Sequence, residues 1–292
     1  MDEATSNDRI REFVQGASKL PVLPQVTIRL LKELDSPDGS ARDIARIVEA
    51  EPAMAARLLK LANSSFYGHR GTIAKVANAV AILGSKTIRS LALTVWTHTL
   101  RSQARAPKEM AMLAPLLAHG IAVGIAARSL IERQRPALAE DAFMAGLLHD
   151  IGRVALISQI GADYMPQYIE PALETDTPLH VREHEVLGFD HRGLGAVMMQ
   201  EWTLPAFLGE VAHGHHDDVV APEQSPVLAA VTLADALATR LRFNLAPALT
   251  RPEPALLIDY FGLADAAEME TFLELVKTRF QGMTDVLDRG GR

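Results

Sequence analysis

The chain has 292 residues, 48% of them hydrophobic and 22% charged, with a net charge of −7 from 36 acidic and 29 basic side chains. That balance disfavours a general affinity for DNA or an anionic membrane face. The absence of cysteine excludes disulfides, iron–sulfur clusters and thiolate zinc sites, so any metal must be held by nitrogen and oxygen.

Residues 1–13 (MDEATSNDRIREF) are acidic and polar, without the basic and apolar blocks of a secretory signal. No run of about 18 uncharged apolar residues is expected further along. These readings predict a cytoplasmic protein that avoids membranes. Apolar residues then recur at three and four: Val26, Leu30, Leu31 and Leu34; Ile44, Ile47 and Val48; Ala55, Leu58, Leu59 and Leu61. Such spacing predicts amphipathic helices, and the scarcity of strand-like alternation predicts an all-α protein. Ser40 with Asp43 three positions on marks the start of one helix, and Pro52 marks the start of the next.

The stretch 101–108 (RSQARAPK) interrupts the periodicity, which predicts a helical N-terminal subdomain over 1–105 and a second helical subdomain over 106–292. Further breaks at 217–226 and 246–254 are short Pro-containing loops. Residues 40–65 have the outline of a helix-turn-helix but are not notably basic, so DNA is not expected as a partner. LGSKT at 83–87 lacks the adjacent Gly-Lys pair of a phosphate loop.

Chemistry concentrates in the second half. His119 shares a helical face with Val123, Ala126 and Leu130; Asp150 follows Phe143 and Leu147; Asp235 lies behind Leu228 and Val231. A carboxylate on a core-facing position costs several kcal/mol unless something pairs with it, and a shared cation pairs with carboxylates and imidazoles together. The residues thus predict one metal held by His119, His149, Asp150 and Asp235, and a second by His191, His215 and His216. Asp150 would bridge two divalent ions, with iron or manganese suited to the donors. Gly152 lets backbone pass close behind the His149-Asp150 doublet. Arg153 and Arg192 would either neutralise a carboxylate or meet an anionic substrate. His69, His98, His180, His184 and His213 are expected to be surface or supporting residues.

These motifs resemble the HDOD (HD-related output domain) family of the HD metal-dependent phosphohydrolase superfamily. LPVLPQV (20–26), LLKLANSSFYG (58–68) and AVAILGSKTIRSLAL (79–93) are similar to its first-half signatures. AGLLHDIGR (145–153), GFDHRGLGAVMMQEWTLP (188–205), HHD (215–217) and LADALA (233–238) are similar to those of its second half. The resemblance implies a helical N-terminal subdomain packed on an HD-type helical bundle, in a bacterial signal-transduction protein that acts on a protein partner. It carries the superfamily's ligands onto His119, His149, Asp150 and Asp235. His191, His215 and His216 are similar to the additional histidines of dinuclear HD-GYP phosphodiesterases. The alternative it implies is an active phosphodiesterase, with Asp150 and Arg153 as catalytic residues acting on a nucleotide phosphoester. HHDDVVAPEQSP lacks the Gly-Tyr-Pro element of that group, and Arg153 replaces its lysine.

Overall fold

The computed structural model describes residues 3–64, 66–68, 72–217, 219–241, 243 and 253–288, and among them there is no strand. The protein is all-α. In chain order the helices are α1 (Glu3–Gly16), α2 (Gln25–Asp35), α3 (Ala41–Glu49), α4 (Pro52–Ala62), α5 (Val76–Leu100), α6 (Pro107–Glu132), α7 (Ala139–Leu148) and α8 (Ile151–Ile160). They continue as α9 (Glu170–Glu174), α10 (Leu179–Leu187), α11 (His191–Glu201), α12 (Ala206–Gly214), α13 (Pro226–Arg240), α14 (Ala255–Tyr260) and α15 (Ala266–Asp288).

Two compact units divide the chain: Met1–Pro21 with Leu100–Met269, and Val22–Thr99 with Glu270–Arg292. Each is therefore built from two separate stretches. A single cut near residue 105 would assign the first 21 residues to the smaller unit, whereas they belong to the larger one.

In the smaller unit the local signals act as their chemistry dictates. Ser40 caps α3, its side-chain oxygen accepting from Asp43 N at 3.1 Å, and Pro52 opens α4, where its missing N–H costs nothing. Leu30, Val48, Leu58 and Leu61 are fully buried here. LGSKT breaks α5: Gly84, at φ 81°, interrupts the helix with a backbone conformation other residues rarely adopt. His98 ends that helix with its ring 3.1 Å from Asp288 Oδ1. His69 and most of the 246–254 loop lie outside the described residues.

The larger unit centres on α6. One expectation needs correction: residues 110–127 of α6 form an 18-residue run without Asp, Glu, Lys or Arg, long and apolar enough to cross a membrane by length and composition. Its apolarity has a local cause, because α6 packs against α7, α8 and α13 and most of its residues are buried.

Contact between α6 and α7 depends on missing side chains. A Cβ on Gly146 would sit 2.7 Å from Gly124 Cα and 2.8 Å from Gly124 N, and one on Gly124 would sit 2.8 Å from Phe143 O. Gly152 supplies the same closeness between α8 and α11, where a Cβ would come within 2.0 Å of His191 O. Backbone cannot swing aside as a side-chain tip can, so filling either position must push two helices apart. Gly146→Ala is expected to destabilise the protein by about 3 kcal/mol, the upper end for an overpacked core. Thermal melting should show a midpoint lower by roughly 6–12 °C, while Gly16→Ala, at a position with no atom within 4 Å of the added Cβ, leaves it within about 2 °C. Equal midpoints for both variants would disprove the close-packing account.

Candidate metal centre

Six helices and the turns at their ends deliver the polar groups of the larger unit to one place. His119 comes from the middle of α6 and Asp235 from α13. The His149-Asp150 doublet lies at the junction of α7 and α8, where Asp150 (φ −100°, ψ 16°) leaves helical geometry; the face read through Phe143, Leu147 and Asp150 is thus carried across a break. His191 opens α11, whose first turn is capped by Asp190 accepting from Arg192 N at 3.0 Å and Gly193 N at 3.1 Å. His215 and His216 follow the end of α12.

All seven expected residues converge. His119 Nε2 lies 3.3 Å from His149 Nε2, 3.1 Å from Asp235 Oδ1 and 4.0 Å from Asp150 Oδ2. His149 Nε2 lies 3.6 Å from Asp150 Oδ2 and 3.8 Å from Asp235 Oδ1. The other carboxylate oxygen, Asp150 Oδ1, faces His191 Nε2 at 3.4 Å and His215 Nε2 at 3.6 Å. Ligand-type atoms of His119, His149 and Asp150 form one group within 4.8 Å of one another, and those of His191, His215 and His216 form another. Asp150 joins the two groups with one oxygen turned to each.

The tautomers follow from the outer hydrogen bonds, since only a protonated ring nitrogen can bond to a carbonyl oxygen. His119 Nδ1 donates to Phe243 O at 2.6 Å, His149 Nδ1 to Gly146 O at 2.7 Å and His215 Nδ1 to Ala212 O at 2.7 Å. His191 Nδ1 donates to Glu183 Oε2 at 2.5 Å. The inward Nε2 atoms of the neutral rings therefore carry lone pairs, aimed at each other and at carboxylate oxygens. Such an array repels itself unless positive charge sits inside it. Outer donation from imidazole to carbonyl or carboxylate is also how metal-binding histidines are oriented.

A cation fits the first group. Donors about 2.1 Å from a transition-metal ion are separated by roughly 3.0–3.4 Å, and His119 Nε2 and His149 Nε2 lie 3.1–4.0 Å from each other and from oxygens of Asp150 and Asp235. Among the described residues, buried Asp150 Oδ1 accepts no hydrogen bond and buried His216 Nε2 makes none. Without a metal, protons do part of the work. Burial opposes charge on His119, but the adjacent Asp235 and then Asp150 outweigh it and raise its affinity for a proton. Burial holds the His149 imidazole down to about 4 and keeps His216 well below the usual range. Burial also works against charge on Asp150 and Asp235, yet Arg153 and the neighbouring imidazoles keep Asp150 ionised and His119 does the same for Asp235.

Supporting residues missed in the sequence are Glu183 and Tyr164, while His180 takes the supporting place expected of it. Glu183 is fully buried; it accepts from His191 Nδ1 and from His191 N at 2.9 Å, and the Tyr164 hydroxyl donates to its other oxygen. His180 stacks on His216 with ring centroids 4.7 Å apart. No periodic signal distinguishes Glu183 inside the polar run VREHEVL. Arg192 neutralises carboxylates, with Nε 2.9 Å from Asp190 Oδ2. Arg153 donates from Nη1 to Asp150 Oδ2 at 2.6 Å and places Nη2 3.1 Å from His191 Nε2.

The HDOD domain profile matches residues 20–218 of this chain. The chain belongs to the HDOD family. An HDOD domain protein of unknown function from Geobacter sulfurreducens shares 25% identity and a TM-score of 0.74 over 98% of both chains. A candidate phosphohydrolase from Shewanella amazonensis SB2B superposes with a TM-score of 0.70 at 22% identity, covering 97% of each chain. An uncharacterised Treponema pallidum protein is 24% identical over 267 residues, 90% of this chain and 50% of its own length. This HDOD chain thus spans about half the length of that curated relative.

One pH dependence follows. In the unfolded chain His149 protonates near 6.5, whereas in the folded metal-free pocket it resists down to about 4, so the unfolded state binds more protons in that window and stability falls as pH falls. His216 and His180 act in the same direction, and His119, whose proton affinity is raised, acts against them. Chelator-treated protein is expected to lose about 2 kcal/mol through His149 between pH 7 and pH 5. Its melting temperature should drop over that range, and His149→Gln should flatten the slope. A midpoint that is level or rises on acidification would contradict the buried, neutral His149.

Proposed function

We propose that this HDOD protein is a signalling module whose larger unit holds a divalent transition-metal ion between His119, His149, Asp150 and Asp235. The convergence of two imidazole lone pairs and two carboxylates in a buried pocket carries the reading, since no apolar substitute would explain their orientation. Iron or manganese matches a donor set of two nitrogens and two oxygens without sulfur. When bound, such an ion supplies Lewis-acid polarisation and acidified water at neutral pH. The chain's own part is orientation: Phe243 O and Gly146 O hold the His119 and His149 rings with Nε2 inward, and burial excludes bulk water. On this reading metal loading stabilises the larger unit, and the output is a contact with a protein partner.

Hydrolysis of a nucleotide phosphoester is the second reading, and one observation favours it: the whole ligand quartet is present around a bridging-type Asp150, with the Arg153 guanidinium next to it. Such a cation could steady the oxygens of a phosphoester, with Asp150 and Arg153 as the reacting site's residues. The absence of a Gly-Tyr-Pro element sets this apart from cyclic dinucleotide recognition by HD-GYP enzymes.

Elemental analysis of protein purified without chelator is expected to find iron or manganese, lost in His149→Ala and Asp235→Ala. Metal at 100 times its dissociation constant adds about 2.7 kcal/mol of stability, so chelation should lower the melting midpoint by several degrees. No bound metal and no chelator effect would overturn the proposal. Turnover of bis(p-nitrophenyl) phosphate by the wild type, absent in Asp150→Ala, would decide for hydrolysis over a purely structural ion.

A further inference from the structure

The second group of histidines faces a cation that the chain provides itself. His191 and His215 turn Nε2 towards Asp150 Oδ1, and ligand-type atoms of His191, His215 and His216 lie within 4.8 Å of one another, which is the arrangement a second ion would need. Yet the Arg153 guanidinium bridges Asp150 and His191, with one nitrogen 2.6 Å from Asp150 Oδ2, the oxygen that also faces His119 and His149, and the next 3.1 Å from His191 Nε2. With Nδ1 donating to Glu183, the neutral His191 ring has its lone pair on Nε2, the nitrogen that faces Arg153. The guanidinium N–H therefore donates to the atom that would otherwise bind metal. Arg153 gives up something for this position, since its buried Nε–H meets no acceptor among the described residues.

Charge balance points the same way. Asp150, Asp235 and Glu183 bring three negative charges to the pocket, and Arg153 offsets one. Asp190 is already balanced by Arg192. Two negative charges are left over, which one divalent ion cancels; a second divalent ion beside an unmoved guanidinium would put excess positive charge into a buried space. Helix geometry makes the placement cheap. Arg153 stands three positions after Asp150 in the first turn of α8, so its side chain reaches back over the carboxylate without crossing open space.

We infer that Arg153 is the resident cation of the second position, so that the centre takes up a single metal ion and the guanidinium excludes another. The inference rests on the proposed ion at His119, His149, Asp150 and Asp235. It changes what the second histidine group does: His191 becomes a hydrogen-bond acceptor that positions arginine, with Glu183 and Tyr164 fixing its tautomer.

Metal stoichiometry tests this directly. Protein stripped by chelator and titrated with Mn²⁺, monitored by calorimetry and by the Mn²⁺ paramagnetic resonance signal, should saturate at one ion per chain. Arg153→Ala should saturate at two, with the resonance broadened by coupling between neighbouring ions, and Arg153→Ala with His216→Ala should return to one. Millimolar guanidinium should weaken only the second ion in Arg153→Ala, by tenfold or more. Arg153→Met preserves more of the packing and gives the same counts if the alanine variant does not fold. Two ions in the wild type, or one in both arginine variants, would overturn the role of Arg153 while leaving the metal centre intact. No ion in any of these proteins would remove the metal proposal itself.

Discussion

The larger unit is organised around electrostatic compensation of buried carboxylates. Asp150 is 5% exposed and sits against His149 and Arg153, while Asp235 turns its charge onto His119. Leaving either carboxylate unpaired away from water would cost several kcal/mol, comparable to the whole stability of an ordinary domain. Every neighbouring feature serves that compensation: the imidazole tautomers set by carbonyl acceptors, the capped start of α11, and the guanidinium folded back over α8. The pocket is polar in the middle of an otherwise apolar bundle, so each of its groups is tightly constrained.

Helix packing supplies the other half of the constraint. His119 and His149 could not bring their nitrogens within 3.3 Å if α6 and α7 were held apart by side chains at Gly124 and Gly146. Likewise Asp150 and His191 meet across the contact in which Gly152 lies against the His191 carbonyl. Dispersion over the close helix faces and the electrostatics of the pocket thus depend on the same small residues. A change that looks purely structural at Gly146 would be felt in the polar pocket, because His149 follows three residues later at the C-terminal end of α7.

Much of this was legible in the sequence because the informative positions break a pattern. His119, Asp150 and Asp235 are polar at positions where apolar periodicity is otherwise sustained, and the structure brings them together with His149, His191, His215 and His216. The all-α class followed from the same periodicity. Other features carry no periodic mark. Glu183 lies in a run of charged residues that reads as a solvated face, although it is fully buried, because α10 turns this position inward, one turn after Leu179, onto the start of α11. The membership of the first 21 residues in the larger unit depends on contacts between distant parts of the chain, such as Phe13 against Phe189, which spacing rules cannot see. The apolar run in α6 was overlooked because His119 and two glycines divide it, even though none of them adds a formal charge.

Arg153 shows how one substitution of kind can redirect a site. In the sequence it stands where the HD-GYP resemblance places lysine, a difference that keeps the charge and changes the donor geometry. A lysine ammonium is a point charge at the end of a flexible stem, free to hydrogen-bond one group at a time and to swing towards a ligand. The planar guanidinium instead holds two donors at fixed separation, and here they meet a carboxylate oxygen and an imidazole nitrogen together. Burial works against its charge, but the Asp150 carboxylate beside it outweighs that and strengthens its hold on the proton still further. The arginine is consequently a permanent cation whose position is fixed by Asp150 and His191, and those are the groups that connect the two halves of the pocket. On the proposed reading Asp150 serves a metal ion and an arginine through the same oxygen, Oδ2, which faces His119 and His149 as well as Arg153, with the difference from a two-metal bridge that one of the two charges is covalently part of the chain.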